Sequence, residues 1–176
     1  MTTRDHLLTM LSEHDLQYFL TFNFGRTIVP AKGEPKVKHL FNQLQDQTYG
    51  GRWAKRRGAH RITAFGFWER LDSNAHLHVE AYIPDAVVPY LHANGADLWS
   101  KLAPSGQLDI EVIRDRDRVG SYITKRVHRP DDLDHMFVYA PPGGSGVHLD
   151  DGGSGPIGRT PRQPAKRVPL HVQWRH

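Results

Sequence analysis

Ala75-His76-Leu77-His78-Val79-Glu80-Ala81-Tyr82-Ile83 is the stretch that decides how this chain folds. Side chains on an extended strand alternate between two faces. Leu77, Val79 and Ala81 therefore share one face, and His76, His78 and Glu80 share the other. The apolar face calls for a layer of helices, and the polar face is expected to stay open. Just upstream, Arg61 to Glu69 reads as a partner strand, joined through the turn-forming Leu71-Asp72-Ser73-Asn74. That hairpin sets Glu69 directly opposite His76, with Cβ atoms about 5 Å apart.

Working outward, Tyr18 to Phe24 is aromatic and β-branched in character and predicts a strand ending at Gly25. Thr3 to Glu13 predicts a short amphipathic helix with Leu7, Leu8, Met10 and Leu11 on one side. Residues 26–35, with two prolines, read as a loop. Val37 to Tyr49 predicts a helix carrying Leu40, Phe41 and Leu44 at core spacing, stopped by Gly50-Gly51. Pro84-Asp85 opens another helix with Val87, Val88, Leu91, Leu98 and Leu102. Gln107 to Ile113 predicts a fourth strand, Arg116 to His128 a last helix before Pro130, and Met136 to Tyr139 a short further strand. The order β-α-β-β-α-β predicts an α+β fold of the split βαβ (ferredoxin- or RRM-like) kind. Its antiparallel four-stranded sheet has helices on one face and a C-terminal helix after the fourth strand.

Composition narrows the classes of function. The chain has 176 residues and no cysteine, so disulfides and thiolate metal sites are excluded and any metal must use His, carboxylate or water. It has no run of about 18 apolar residues and no basic-then-apolar leader, so a soluble, cytoplasmic protein is expected. Residues 1–140 form the expected domain. From Pro141 the chain is rich in Gly, Pro and Ser, with Gly143-Gly144-Ser145-Gly146 recurring as Gly152-Gly153-Ser154-Gly155, and residues 141–176 predict a flexible tail. The net charge is +4; residues 1–140 hold 18 Lys/Arg against 17 Asp/Glu, so three of the four excess charges belong to that tail. A second concentration is local. Arg52-Trp53-Ala54-Lys55-Arg56-Arg57-Gly58-Ala59-His60-Arg61 has five cations in ten positions and no acid. Arg52, Lys55, Arg56, Arg57 and Arg61 with the ring of Trp53 are candidates for gripping single-stranded DNA, with cations on phosphates and a ring under a base. Trp68 falls on the apolar side of its strand and reads as core. No P-loop, G-x-S-x-G or dinucleotide fingerprint is present.

Two pieces of chemistry stand out. His76, His78 and the opposed Glu69 supply two imidazoles and a carboxylate, a donor set suited to Mn²⁺, Zn²⁺ or, with waters, Mg²⁺. Glu69 is preferred to Glu80, which lies about 7 Å further along the strand than His78. Then Tyr122-Ile123-Thr124-Lys125 places a tyrosine and a lysine at i and i+3, on one side of the last helix. A phenol has a pKa near 10 and attacks phosphorus only with help, which a cation on the scissile phosphate and a neighbouring ammonium can give. A solvated sheet face for the histidines and a core position for Tyr122 are the plain alternatives.

Taken together, the motifs resemble those of the HUH endonucleases: rolling-circle replication initiators, relaxases and single-tyrosine transposases. Tyr18-Phe19-Leu20-Thr21-Phe22-Asn23-Phe24 resembles their first-strand motif, Phe67-Trp68-Glu69 with His76-Leu77-His78 their metal motif, and Tyr122-Ile123-Thr124-Lys125 their catalytic motif. The resemblance covers about residues 16–128. It implies a nuclease that nicks and rejoins single-stranded DNA at a specific sequence, with Tyr122 as nucleophile assisted by Lys125 on a catalytic C-terminal helix. It also implies Mg²⁺ or Mn²⁺ held by His76, His78 and an acid. The last motif has one tyrosine, so the two-tyrosine scheme is not supported, and unwinding at an origin would fall to a separate helicase. Two other readings use the same frame: a non-catalytic RRM-like binder in which Phe22, Phe24, Phe65 and Phe67 stack bases, and a metal-dependent phosphodiesterase that uses water.

Overall fold

A computed structural model describes residues 5, 8, 9, 11, 14–53, 61–114 and 136–140. The expected helix Arg116–His128, the middle of the basic run and the tail from Pro141 lie outside the described residues. The elements are β1 (Tyr18–Asn23), α1 (Pro30–Tyr49), β2 (Thr63–Glu69), β3 (His76–Tyr82), α2 (Val88–Leu102), β4 (Gln107–Val112) and β5 (Met136–Tyr139). They form an α+β fold with one five-stranded sheet in the order β4-β1-β3-β2-β5, antiparallel at every pairing. β3 lies between β1 and β2, an order compatible with a split βαβ frame. The sheet has five strands rather than four because Met136–Tyr139 pairs with the free edge of β2.

The alternation along β3 decides which face the helices cover. Leu77, Val79 and Ala81 are fully buried, as are Leu20 and Phe22 of β1 and Ala64 of β2. Against them pack Val37, Leu40, Phe41 and Leu44 of α1, with Leu91 and Trp99 of α2. Trp68 belongs to this core, where its ring stacks on Phe24. Trp99 anchors α2 more firmly than the expected Leu98 and Leu102, which are only partly buried. Its ring meets Phe22 and Phe24 edge-on, and its indole N–H donates to the Asn23 carbonyl at 3.0 Å.

α1 starts at Pro30, seven residues before the expected Val37, and takes in most of the expected loop 26–35. Two prolines suggested a break, but Pro30 occupies the first turn, where a missing N–H costs nothing. The Val29 carbonyl accepts from both Lys32 and Gly33, and the helix absorbs Pro35 one turn later. Gly33 lets this turn approach the sheet: a Cβ there would fall 2.2 Å from the Trp68 ring. The helix ends at Gly50, whose φ of 81° suits glycine.

β5 is tied to α1 by a buried polar cluster. The Gln45 side-chain amide donates to the Tyr139 hydroxyl at 2.9 Å, and that hydroxyl donates to Asn42 Oδ1 at 2.7 Å. Gln45 Oε1 accepts from the Ile62 backbone N–H at 3.0 Å, so the buried amide is used at both ends.

The other sheet face is not open along its whole length, contrary to the expectation from β3 alone. Phe65 and Phe67 of β2 project there and pack with Leu11 and Leu16, flanked by Phe19, Tyr82 and Met136. His14 adds a ring 4.9 Å from Phe65. Asp5, Leu8, Thr9 and Leu11 are helical, as expected for this N-terminal stretch. Its apolar side is needed because β2 is apolar on both faces. No helix of the described residues is long and apolar enough to cross a membrane.

Candidate functional site

The half-open face carries the histidines. The β2–β3 register sets Glu69 opposite His76 and Phe67 opposite His78, while the β1–β3 register sets Asn23 opposite His76 and Thr21 opposite His78. The right-handed twist of paired strands brings the Glu69 carboxylate diagonally toward the neighbouring imidazole. Glu69 Oε2 is 3.6 Å from His78 Nε2, with side-chain exposures of 14% and 13%. On the other side of the ring, His78 Nδ1 and Thr21 Oγ1 are 3.1 Å apart. Phe19 stacks across the ring at 5.6 Å with 12° between planes. His78 is thus fixed by all three central strands. His76 is its neighbour at 6.1 Å between ring centroids.

Two of the three donors are spaced for a divalent ion. A Nε2–Oε2 separation of 3.6 Å is longer than a hydrogen bond (about 2.7–3.2 Å). Two ligands each roughly 2.1 Å from one ion stand about 3–3.6 Å apart. His78 and Glu69 fit that spacing, and nitrogen plus carboxylate suits Mn²⁺, or Mg²⁺ with waters completing its shell. Among the described residues, no three His, Asp or Glu side chains converge as they stand. His76 is the donor still to swing in. It is two residues from His78 and so about 7 Å along the strand, a gap that its two side-chain torsions can narrow.

Glu80 shares the face but not the site. It lies in register between Phe19 and Phe65, is only 4% exposed, and has one carboxylate oxygen with no hydrogen-bond partner among the described residues. Burial pushes its pKa up to about 7, since a carboxylate loses hydration there.

The DNA-contact residues separate into three groups. Lys55, Arg56 and Arg57 lie outside the described residues. Arg52 is exposed and Arg61 half-buried. Trp53, expected as a stacking ring, is 6% exposed, with the Arg61 guanidinium 5.8 Å from its ring. The four phenylalanines of the RRM-like reading also separate. Phe22 and Phe24 are in the helix-backed core, while Phe65 and Phe67 are on the opposite face under Leu11 and Leu16. They form no common platform.

Tyr122 and Lys125 lie outside the described residues. The other five tyrosines are described, and none joins the histidines. Tyr139 is buried in the helix-side core, and burial pushes its pKa up to about 12, partly offset by the Gln45 hydrogen bond and by Arg61. Tyr18 and Tyr49 border the same core, and Tyr90 is on α2. Tyr82 shares the histidine face, yet it is four residues, about 13 Å, beyond His78. Burial, then Asp85 and Asp15, raise its pKa.

Sequence reading did not assign Thr21 or Phe19 to the histidine site. Both follow from parity once β1 is known to pair with β3, a pairing that a single strand's pattern does not reveal. The chain matches no protein-family profile, no curated protein and no solved structure.

Proposed function

We propose that this chain is a metal-dependent endonuclease of the HUH type. It would nick and rejoin single-stranded DNA at a specific sequence through a 5′-phosphotyrosine intermediate, as a replication initiator of a plasmid, phage or other mobile element does. The observation that carries the reading is the juxtaposition of Glu69 and His78 at 3.6 Å beside His76, on the half-open face of the sheet. In this reading His76, His78 and Glu69 hold Mg²⁺ or Mn²⁺. Such an ion, when bound, draws charge from a non-bridging oxygen of the scissile phosphate.

The remaining roles fall to the chain's own residues. Tyr122, on the helix expected after β4, gives up its phenolic proton to solvent, and its oxygen attacks phosphorus. The bond to the 3′ oxygen of the upstream nucleotide breaks, and that oxygen leaves as a free 3′ hydroxyl after taking a proton. The 5′ phosphate stays on Tyr122, and its ester conserves the energy needed for rejoining. Lys125, one turn on, offsets charge on the phosphate. The cations of the Arg52–Arg61 run hold the strand by its backbone. A separate helicase would supply unwinding.

Elimination among the chain's six tyrosines supports Tyr122: the five described ones are in the core, on the helix side or far along the sheet. The deciding experiment incubates a single-stranded oligonucleotide library with the protein and Mn²⁺ and looks for a covalent protein–DNA band. The wild type should form it and Tyr122→Phe should not. Cleavage without a band would replace the tyrosine by water, and binding without cleavage would leave a non-catalytic binder.

A further inference from the structure

We propose that Thr21 is a positioning residue: its hydroxyl oxygen accepts the Nδ1 proton of His78 and so turns the Nε2 lone pair toward Glu69. The inference rests on the metal-site reading for its purpose, but its geometry stands apart from that reading. Nδ1 is 3.1 Å from Thr21 Oγ1, within hydrogen-bond reach, whereas Nε2 is 3.6 Å from the Glu69 carboxylate, beyond it. A neutral imidazole carries one proton, and the Nδ1–H form is the one that bonds to the Thr21 oxygen and leaves Nε2 a lone pair for a metal. The hydroxyl then has its own hydrogen to give. Asp109 is the next position in the same cross-strand row, opposite Thr21 in the β1–β4 register, and is exposed; solvent on that side can accept this hydrogen.

Two further observations make this a built arrangement rather than a chance contact. Thr21 is on the central part of β1, paired on both sides, so its backbone is fixed. The Phe19 ring, two residues earlier and on the same face, lies within 12° of parallel to the imidazole and restricts its rotation. With the plane set by Phe19 and one ring nitrogen set by Thr21, the other nitrogen has a single direction left. An outer hydrogen bond of this kind orients a ligating imidazole, and its loss typically weakens metal affinity about 10–100-fold.

The test compares wild type, Thr21→Val and Thr21→Ser. Valine keeps the branched shape and strand preference while removing the hydroxyl; serine restores it. Mn²⁺ binding is followed by electron paramagnetic resonance. The His78 tautomer is read from long-range ¹H–¹⁵N spectra in chelator at pH 8, above the ordinary imidazole range of about 6.5. Wild type and Thr21→Ser should show the Nδ1–H form. Thr21→Val should lose it and bind Mn²⁺ about 10–100-fold more weakly, with an unchanged circular dichroism spectrum. An Nε2–H tautomer in the wild type, or equal Mn²⁺ affinity in Thr21→Val, overturns the proposal. If the wild type binds no Mn²⁺, the metal-site reading fails and the tautomer spectra alone decide the role of Thr21.

Discussion

Removing the Tyr139 hydroxyl separates what the fold needs from what the proposed chemistry needs. The hydroxyl accepts from Gln45 at 2.9 Å and donates to Asn42 at 2.7 Å, in a residue only 7% exposed. Tyr139→Phe deletes both bonds and leaves one hydrogen of the buried Gln45 amide unmatched, while its bonds with the Phe41 carbonyl and the Ile62 N–H remain. Leaving a buried polar partner unmatched costs about 1–3 kcal/mol. For a domain of this size that lowers Tm by roughly 2–4 °C per kcal/mol. The same residue gives a signature in alkali. The folded-state pKa is raised from 10.0 to about 12, so the unfolded chain loses this proton first. The stabilisation is fully present below pH 10 and is lost as pH rises toward 12, by up to about 3 kcal/mol. Thermal unfolding from pH 7 to 11, combined with the adduct assay, checks the argument. Tyr139→Phe should melt lower at pH 7, show a shallower alkaline fall than the wild type, and still form the covalent DNA band. An unchanged Tm refutes the network; a well-folded Tyr139→Phe that forms no band would make Tyr139 the nucleophile and refute the assignment to Tyr122.

Other perturbations test separate parts of the structure. Gly33→Ala puts a Cβ 2.2 Å from the Trp68 ring and should destabilise by about 1–3 kcal/mol, seen as a lower urea midpoint; a neutral result would mean α1 does not approach the sheet this closely. Glu80 has its pKa raised to about 7, so stability in chelator should fall as pH rises from about 4.5 through 7, and Glu80→Gln should flatten that slope; an equal slope in the variant would show that Glu80 ionises freely. Reversing the charges of Arg52, Lys55, Arg56 and Arg57 should weaken single-stranded DNA binding and reduce the dependence of affinity on salt, by a slope of about 0.7 for each lost phosphate contact; identical slopes would make the run a plain solvated surface.

The central hairpin was legible because its information is local. Leu77, Val79 and Ala81 alternate with His76, His78 and Glu80, and a short polar loop fixes the register that pairs Glu69 with His76. Met136–Tyr139 was legible as a strand for the same reason, though not its place beside β2. What was hidden depends on partners distant in sequence. Pro30 and Pro35 read as breaks because their local chemistry disfavours helix, yet Gly33 and Val37 pack this segment on the sheet, and packing prevailed. Trp53 reads as a stacking ring because a tryptophan among cations resembles one; its low exposure is not visible in the run itself. The covered half of the histidine face was signalled, however. Ala64-Phe65-Gly66-Phe67-Trp68 is apolar in both parities, and a strand apolar on both faces requires a cover on both.

That cover determines how anything reaches His78. Phe65, Phe67 and Glu80 are buried under the cluster of Leu11 and Leu16, so the Glu80 end of the face is closed. The opposite end holds Gln107, Asn23, His76 and Glu69 as one cross-strand row, none of them buried. Exposed Arg26 and Arg70 are on the loops bordering this row: Arg26 three residues after Asn23, Arg70 directly after Glu69. In the proposed reaction a phosphate would approach over this end, where the two guanidinium groups can take its charge before it meets the histidines. The closed end then serves the open one. Phe19 stacks on the His78 ring and Thr21 lies beside Nδ1, so the ring is held with Nε2 toward Glu69. A sheet with both faces bare would hold the same residues in the same register, but its imidazole would be free to turn toward solvent.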